Sequence, residues 1–273
     1  MLMADEMTLF EKRDDGVAVI TFNRPDSLNA MMPIQADAIA AKLDDWAADD
    51  AVRCVALTGA GRAFTAGGDV KAMAEDPDTA SGGAAPSTDE AARNLASWGW
   101  KLSGKLHTLP KPTVALVNGF AMGAGMSIAL ACDIRFCSSK AKFGTAFRNV
   151  ALSGDFGGSW FLPRIVGASV ARELYFTGEI IDAERAQALG IANHVAPHEG
   201  FLEAGLDYCA QIASGPPLAL SRMKLNLQRA ESMPLADAML AEAMHHTLSS
   251  QDEDHQAAAK AFVNKETPVF EGR

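Results

Sequence analysis

The sequence predicts an α/β fold closed by a helical C-terminal portion, and three observations predict it. Short β-branched runs alternate with amphipathic helical stretches up to about residue 200. Three of those runs are followed at once by turn-forming stretches rich in Gly, Asn or Asp. Beyond that point the strand signals stop and only helical periodicity continues. With 273 residues, 48% hydrophobic and 21% charged, the chain is long enough to bury a large core and too apolar to be disordered.

Taken in order, Val17 to Phe22 (VAVITF) is the first clear strand and runs into the turn NRPDSLNA. Pro33 to Ala48 follows as a helix with Ile39, Leu43 and Trp46 on one face. Cys54 to Thr58 (CVALT) is a second strand, followed by GAGRAFTAGGD. Glu75 to Asp89 is rich in Pro, Gly, Ser, Ala and Asp and has no periodicity, which fits either a flap over a ligand or a plain surface loop. Glu90 to Leu109 is helical, with Leu95, Trp98, Leu102, Leu106 and Leu109 on one face. Thr113 to Val117 (TVALV) is a third strand leading into NGFAMGAG, and Ile134 to Cys137 and Lys142 to Phe147 are further strand-like pieces. The helical portion comprises Phe201 to Ser214, Pro217 to Ala230, Pro234 to Leu248 and a last helix opened by Ser250-Gln251-Asp252-Glu253, a capping-box pattern. The division is therefore a core over 1–200 and a helical region over 201–273.

Composition narrows the function. A net charge of −10 argues against nucleic acid or an anionic membrane as the main partner, and an anionic ligand would need a local basic cluster. No run approaches the about 18 apolar residues of a membrane span, and MLMADEMTLFEKRDDG lacks a signal-peptide pattern, so a cytoplasmic location is expected. Cys54, Cys132, Cys137 and Cys209 have neither CxxC spacing nor disulfide-framework density, and read as reduced, buried thiols.

Two glycine-rich turns carry chemistry. Ala63 to Val70 (AFTAGGDV) and Asn118 to Ser127 (NGFAMGAGMS) each follow a strand and open a helix-like stretch. Small residues there permit tight packing; they also let backbone N–H groups approach a ligand, and two such turns can aim two donors at one carbonyl oxygen. A dinucleotide fingerprint fits poorly, because Gly59 to Phe64 (GAGRAF) lacks the third glycine. The stretch Ser153 to Trp160 (SGDFGGSW) places Asp155 among glycines and aromatics, as a helix N-cap or as a catalytic acid. Desolvation beside Phe156 raises its pKa, whereas capping N–H bonds lower it.

The order of NRPDSLNAM, AFTAGGDVKAM, KPTVALVNGFAMGAGMSIALACDIRF, FGTAF and DFGGSWFLPRIVG resembles the enoyl-CoA hydratase/isomerase family, also called the crotonase family. The similarity continues through ARELYFTGEIIDAERAQALGIANHV and AFVNKETPVFEGR, covering nearly the whole chain. The resemblance implies a crotonase-like spiral of strand-strand-helix repeats, a C-terminal trimerisation region, a homotrimer or a hexamer of two trimers, and an acyl-CoA thioester as substrate. No cofactor is implied beyond the coenzyme A that the substrate carries. By position, the oxyanion donors are the N–H groups of Gly68 and Ala124. Ala66, Lys71 and Arg24 fall at substrate-binding positions, as do Phe262 and Lys265, the lysine supplied by a neighbouring subunit.

The pattern also breaks. Where hydratases of the family carry two glutamates, this chain has Ser127 and Phe147, neither of which takes a proton from water near neutral pH. Between Asn118 and Arg172 the carboxylates are Asp133, whose match looks structural, and Asp155. Members resembling dienoyl-CoA isomerases, ring-epoxide phenylacetyl-CoA isomerases and haloaryl-CoA dehalogenases place an aspartate at the latter point. The dehalogenases also expect a histidine where Trp100 stands. The leading expectation is an acyl-CoA isomerase with Asp155 as acid/base and an acyl pocket of Phe147, Phe156 and Trp160. A 2-enoyl-CoA hydratase and a non-catalytic acyl-CoA binder are the alternatives.

Overall fold

The computed structural model describes residues 4–69 and 87–273, so Lys71 and most of the loop expected at 75–89 lie outside the described residues. The strands are β1 (Thr8–Lys12), β2 (Val17–Phe22), β3 (Cys54–Gly59), β4 (Ala63–Thr65), β5 (Thr113–Val117), β6 (Phe120–Met122), β7 (Ile134–Ser138), β8 (Lys142–Gly144), β9 (Ile181–Asp182) and β10 (His194–Ala196). The helices are α1 (Ala4–Met7), α2 (Pro33–Ala48), α3 (Thr88–Gly99), α4 (Lys105–Thr108), α5 (Ala124–Ala131), α6 (Gly158–Val166), α7 (Ala168–Thr177) and α8 (Ala183–Ala188). They continue with α9 (Phe201–Ala213), α10 (Pro217–Ala230), α11 (Leu235–Gln251) and α12 (Glu253–Asn264).

Two sheets form, in the orders β1-β2-β3-β5-β7-β10 and β4-β6-β8-β9. The pairs β3/β4, β5/β6 and β7/β8 each send their first strand to the large sheet and their second to the small one, which generates a spiral of repeats. All pairings are parallel except β1 with β2 and β8 with β9. Parallel strands covered on both faces must be apolar throughout, and every residue of β3 and β5 is buried. The corners between paired strands depend on glycine: a Cβ at Gly59 would lie 2.1 Å from Ala63 O, and one at Gly119 would lie 2.0 Å from Arg62 O. Two amides clamp the same corners, Asn29 Nδ2 donating to Ala60 O and Ala63 O and Asn118 Nδ2 to Gly59 O and Gly61 O.

The main core lies between the large sheet and the helices, with Ile20, Leu43, Leu57, Leu102, Ile128 and Leu162 fully enclosed. A second cluster under the other face of the sheet brings Val19, Ala56 and Leu116 against Phe201, Cys209 and Ala213 of α9. Helix α9 thus packs as part of the core, although the all-helical stretch does begin after β10. All four cysteines are unpaired and buried, and burial pushes the Cys132 and Cys137 thiols up to about 12. Among the described residues no helix is long and apolar enough to cross a membrane.

Three local expectations are corrected. The strand expected at 142–147 ends at Gly144, because Ala146 adopts φ 56 and the chain turns into a 3-10 helix at Phe147–Val150. The helix expected at 90–109 starts at Thr88, capped by Ser87 Oγ accepting from Glu90 N, and is interrupted by a π-helical segment at Trp100–Gly104. No side-chain capping bond forms ahead of α12, since the Asp252 carboxylate is taken by Arg222 in an ion pair and Ser250 Oγ donates to Thr247 O.

Candidate active site

The first glycine turn leaves β4 at Thr65, whose hydroxyl donates to Asn29 O (2.7 Å) and accepts from Gly67 N (3.1 Å). Met31 N then donates to Gly67 O (2.7 Å) and Ala66 N to Leu28 O (2.9 Å), so the turn is sewn to the segment after β2. Gly67 has φ +84, and a Cβ there would lie 2.5 Å from Met122 O and 3.0 Å from Ala124 N. Only glycine lets the first turn touch the second this closely. Among the described residues the Gly68 N–H has no acceptor, and Ala124 opens α5, where the first N–H groups have no partner within the helix. Two open donors therefore stand at adjoining turns, one at a helix start where the dipole favours negative charge. Arg24 braces this turn instead of standing open, its Nη2 lying 3.2 Å from Asp69 Oδ2 and its Nη1 donating to Ala30 O.

Asp155 occupies the strained entry to α6, with Gly154 at φ 124, Phe156 at φ 49 and Gly157 at φ 80. A phenylalanine in the left-handed region is uncommon and gathers at functional sites. Gly157 is the N-cap of α6 and no side chain caps it; the Asp155 backbone oxygen accepts from Gly158 N (3.1 Å). The carboxylate is therefore no helix cap. Its Oδ1 is buried without a hydrogen-bond partner among the described residues, and this desolvation raises its pKa to about 6. Tyr175 is close by, its hydroxyl pushed up to about 12, first by burial and then by the Asp155 charge.

Gly158 brings this turn against the second glycine turn. A Cβ there would lie 2.4 Å from Ser127 Oγ and 2.6 Å from the Tyr175 hydroxyl oxygen. Ser127, one turn into α5 after Ala124, is buried and donates to Gly123 O, a bond that holds its hydroxyl against its own helix. Phe147 is buried and stacks on Tyr175 with ring centroids 6.1 Å apart. The two positions that match hydratase glutamates thus hold a helix-bound hydroxyl and a wall of the core.

A cleft of about 630 Å³ lies along α3 and the Asp155 turn, lined by Leu95, Trp100, His107, Phe156, Trp160 and Asp155 among others. Phe156 and Trp160 line it as the sequence suggests, whereas Phe147 lies behind it beside a small cavity with Ser127 and Tyr175. Gly68 and Ala124 are not part of its lining. Phe262, 84% exposed, and Lys265 stand at the end of α12 and do not line it either. Sequence reasoning missed His107 and Tyr175 as neighbours of Asp155, and named Trp100 only as the residue standing where dehalogenases of the family carry a histidine. Glycines at 99 and 104 inside a helical stretch were the available signal for a ligand-facing helix, since they cost stability there unless close approach requires them. No group of three His, Cys, Asp or Glu among the described residues is placed to hold a metal ion. The chemistry the arrangement supports is proton transfer by one desolvated carboxylate in an aromatic cleft.

The Enoyl-CoA hydratase/isomerase family model matches residues 12–273. The chain is 33% identical over 260 residues to the 1,2-epoxyphenylacetyl-CoA isomerase of Escherichia coli (strain K12), covering 95% of this chain and 97% of the relative. It is 32% identical to the 2,3-dehydroadipyl-CoA hydratase of the same organism, with 97% and 99% covered. Among solved structures, an enoyl-CoA hydratase from Polaromonas sp. JS666 superposes with a TM-score of 0.87 at 30% identity, covering 96% of this chain and 99% of that one. The protein belongs to the enoyl-CoA hydratase/isomerase family and is an enzyme of it.

Proposed function

We propose that the protein is an acyl-CoA isomerase in which Asp155 is the acid/base. The observation that carries this reading is the state of that side chain: buried, bare of hydrogen bonds at Oδ1, tuned to about 6, and facing an aromatic cleft. Ser127 and Phe147 add support, because they leave no glutamate pair to activate water. In this scheme the thioester oxygen accepts the Gly68 and Ala124 N–H groups, which stabilise the enolate. A C–H bond of the acyl chain breaks, its proton passes to the Asp155 carboxylate, and its electrons move through the conjugated system onto that oxygen. Collapse of the enolate takes the proton back at a different carbon, so the double bond migrates with no net change in composition.

The coenzyme A part is assigned to Lys71 and Ala66 of this chain and to Phe262 and Lys265 of a neighbouring protomer, in a trimer or a hexamer of two trimers located in the cytoplasm, with no cofactor and no nucleic-acid or membrane partner. In support, Leu227, Leu235, Met239, Leu240 and Met244 expose large apolar surfaces over α10 and α11. The test is to incubate the enzyme with 2-enoyl-, 3-enoyl- and dienoyl-CoA and to separate the products by liquid chromatography and mass spectrometry. Isomers of unchanged mass are expected. A 3-hydroxyacyl product heavier by one water would establish the hydratase instead, and binding without conversion of any of the three, whether plain or carrying an oxygen farther along the chain, would establish a non-catalytic binder.

A further inference from the structure

The cleft holds a second bare polar atom that the proton transfer does not use. Ser103 is 2% exposed, and its Oγ has no hydrogen-bond partner among the described residues. A helical serine ordinarily settles its hydroxyl on the carbonyl one turn back, as Ser127 does, and Ser103 does not. It lies within the π-helical segment Trp100–Gly104, a geometry that interrupts regular helix pairing and gathers at functional sites. The local packing explains where it faces. Gly99 meets the Asp155 turn directly, since a Cβ there would lie 3.4 Å from Phe156 Cα, and Ser103 lines the same cleft one turn further along. On its other side the Trp100 ring folds against Gly104, where a Cβ would lie 2.7 Å from Trp100 Cε3.

A hydroxyl buried without a partner forfeits its hydration, and alanine at the same place would avoid that cost. The cleft lining is mostly apolar, with Ala92, Leu95, Ala96 and Phe161, and its polar side chains, among them His107, Asp155 and Ser159, make no hydrogen bond to Ser103 Oγ. The missing partner must come from what fills the cleft. We infer that Ser103 Oγ recognises an oxygen carried on the acyl group, so that the substrate class is acyl-CoA thioesters bearing a hydroxyl or carbonyl oxygen away from the thioester, in place of plain hydrocarbon chains. The inference rests on the reading of this cleft as the acyl site. Ser103 is here a specificity-determining residue: it holds the substrate and leaves the proton transfer to Asp155.

The test uses saturated acyl-CoA thioesters, which cannot react, so that binding is read without chemistry. One parent chain is compared with versions hydroxylated at each carbon in turn from the fourth to the last, by calorimetric titration of the wild type, Ser103→Ala and Ser103→Cys. At one position the wild type is expected to prefer the hydroxylated chain over its parent, and Ser103→Ala to lower that ratio by about 10-fold or more, with Ser103→Cys intermediate. An unchanged ratio at every position in Ser103→Ala would overturn the inference. Turnover of the unsaturated counterparts by the wild type and Asp155→Asn separates the two claims. Bond migration without oxygen selectivity removes this inference alone, and oxygen selectivity without bond migration removes the isomerase reading alone.

Discussion

Asp133 and Asp155 are the two carboxylates between Asn118 and Arg172, and the protein treats them in opposite ways. Asp133 Oδ2 accepts from Thr113 N at 2.7 Å, Thr113 Oγ1 at 2.9 Å and Lys224 Nζ at 2.7 Å. The lysine in turn donates to Leu106 O and Lys111 O, so the ion pair ties α10 to the end of α4 and to the start of β5. Asp155 has none of this: its Oδ1 is buried and bare, and its backbone neighbours sit in left-handed conformations. A carboxylate that holds a fold together is given every partner it can use. In the proposed mechanism Asp155 picks up and releases a proton near neutral pH, and a carboxylate left without partners, at a cost to the fold, suits that role.

Substitution breaks the contrast most sharply at Asp155. Asp155→Asn should lower kcat by about 10³-fold in steady-state assays while leaving circular dichroism unchanged, because a base has been removed from a site that does not depend on it for packing. Asp133→Ala should do the reverse. It strands the Lys224 ammonium, 7% exposed, and should cost about 3 kcal/mol in denaturant unfolding, with turnover per folded molecule retained.

Smaller effects follow the pH dependence. The folded-state pKa of Asp155 is raised to about 6 from 3.8, so folding favours the protonated form. Its contribution to stability is complete below the unfolded-state value and is lost as pH rises through about 6. Asp155→Asn, which mimics the protonated acid, should therefore be about 2 kcal/mol more stable than the wild type at pH 8 and equal to it near pH 4, as read from thermal melts. In the same range the wild-type kcat/KM should fall as pH drops below about 6, where the base is protonated. The smallest change is expected at Ser127. Ser127→Ala removes a hydroxyl already bound to Gly123 O and should leave kcat/KM unchanged, whereas a catalytic role for that position would lower it.

The strands of the large sheet were legible because β-branched runs bounded by turn residues have few alternatives, and α2 was legible to the residue at both ends. The π-helical segment was not, because a one-residue change in helical pairing leaves the apolar periodicity of 90–109 nearly intact. The partner of Asp133 was not legible either: it is a lysine 91 positions later, brought back by a helix whose docking the sequence does not encode locally. For Asp155 the motif located the residue but left cap and acid both open. Gly157 decides between them, because helix α6 begins two residues too late for the carboxylate to cap it. The orphaned hydroxyl of Ser103 and the proximity of Tyr175 are properties of packed space and have no signature in the chain's order.

The central claim is that Asp155 moves the substrate proton. A thioester that the enzyme isomerises, deuterated at the carbon that loses its hydrogen and incubated in ordinary water, tests this by the loss of deuterium from that carbon, read by NMR and mass spectrometry of the recovered acyl-CoA. The account predicts rapid loss of deuterium from that carbon with the wild type, whether it reappears at the other end of the shifted double bond or in water, and retention at that carbon with Asp155→Asn at saturating substrate; full-rate loss in that variant would contradict it.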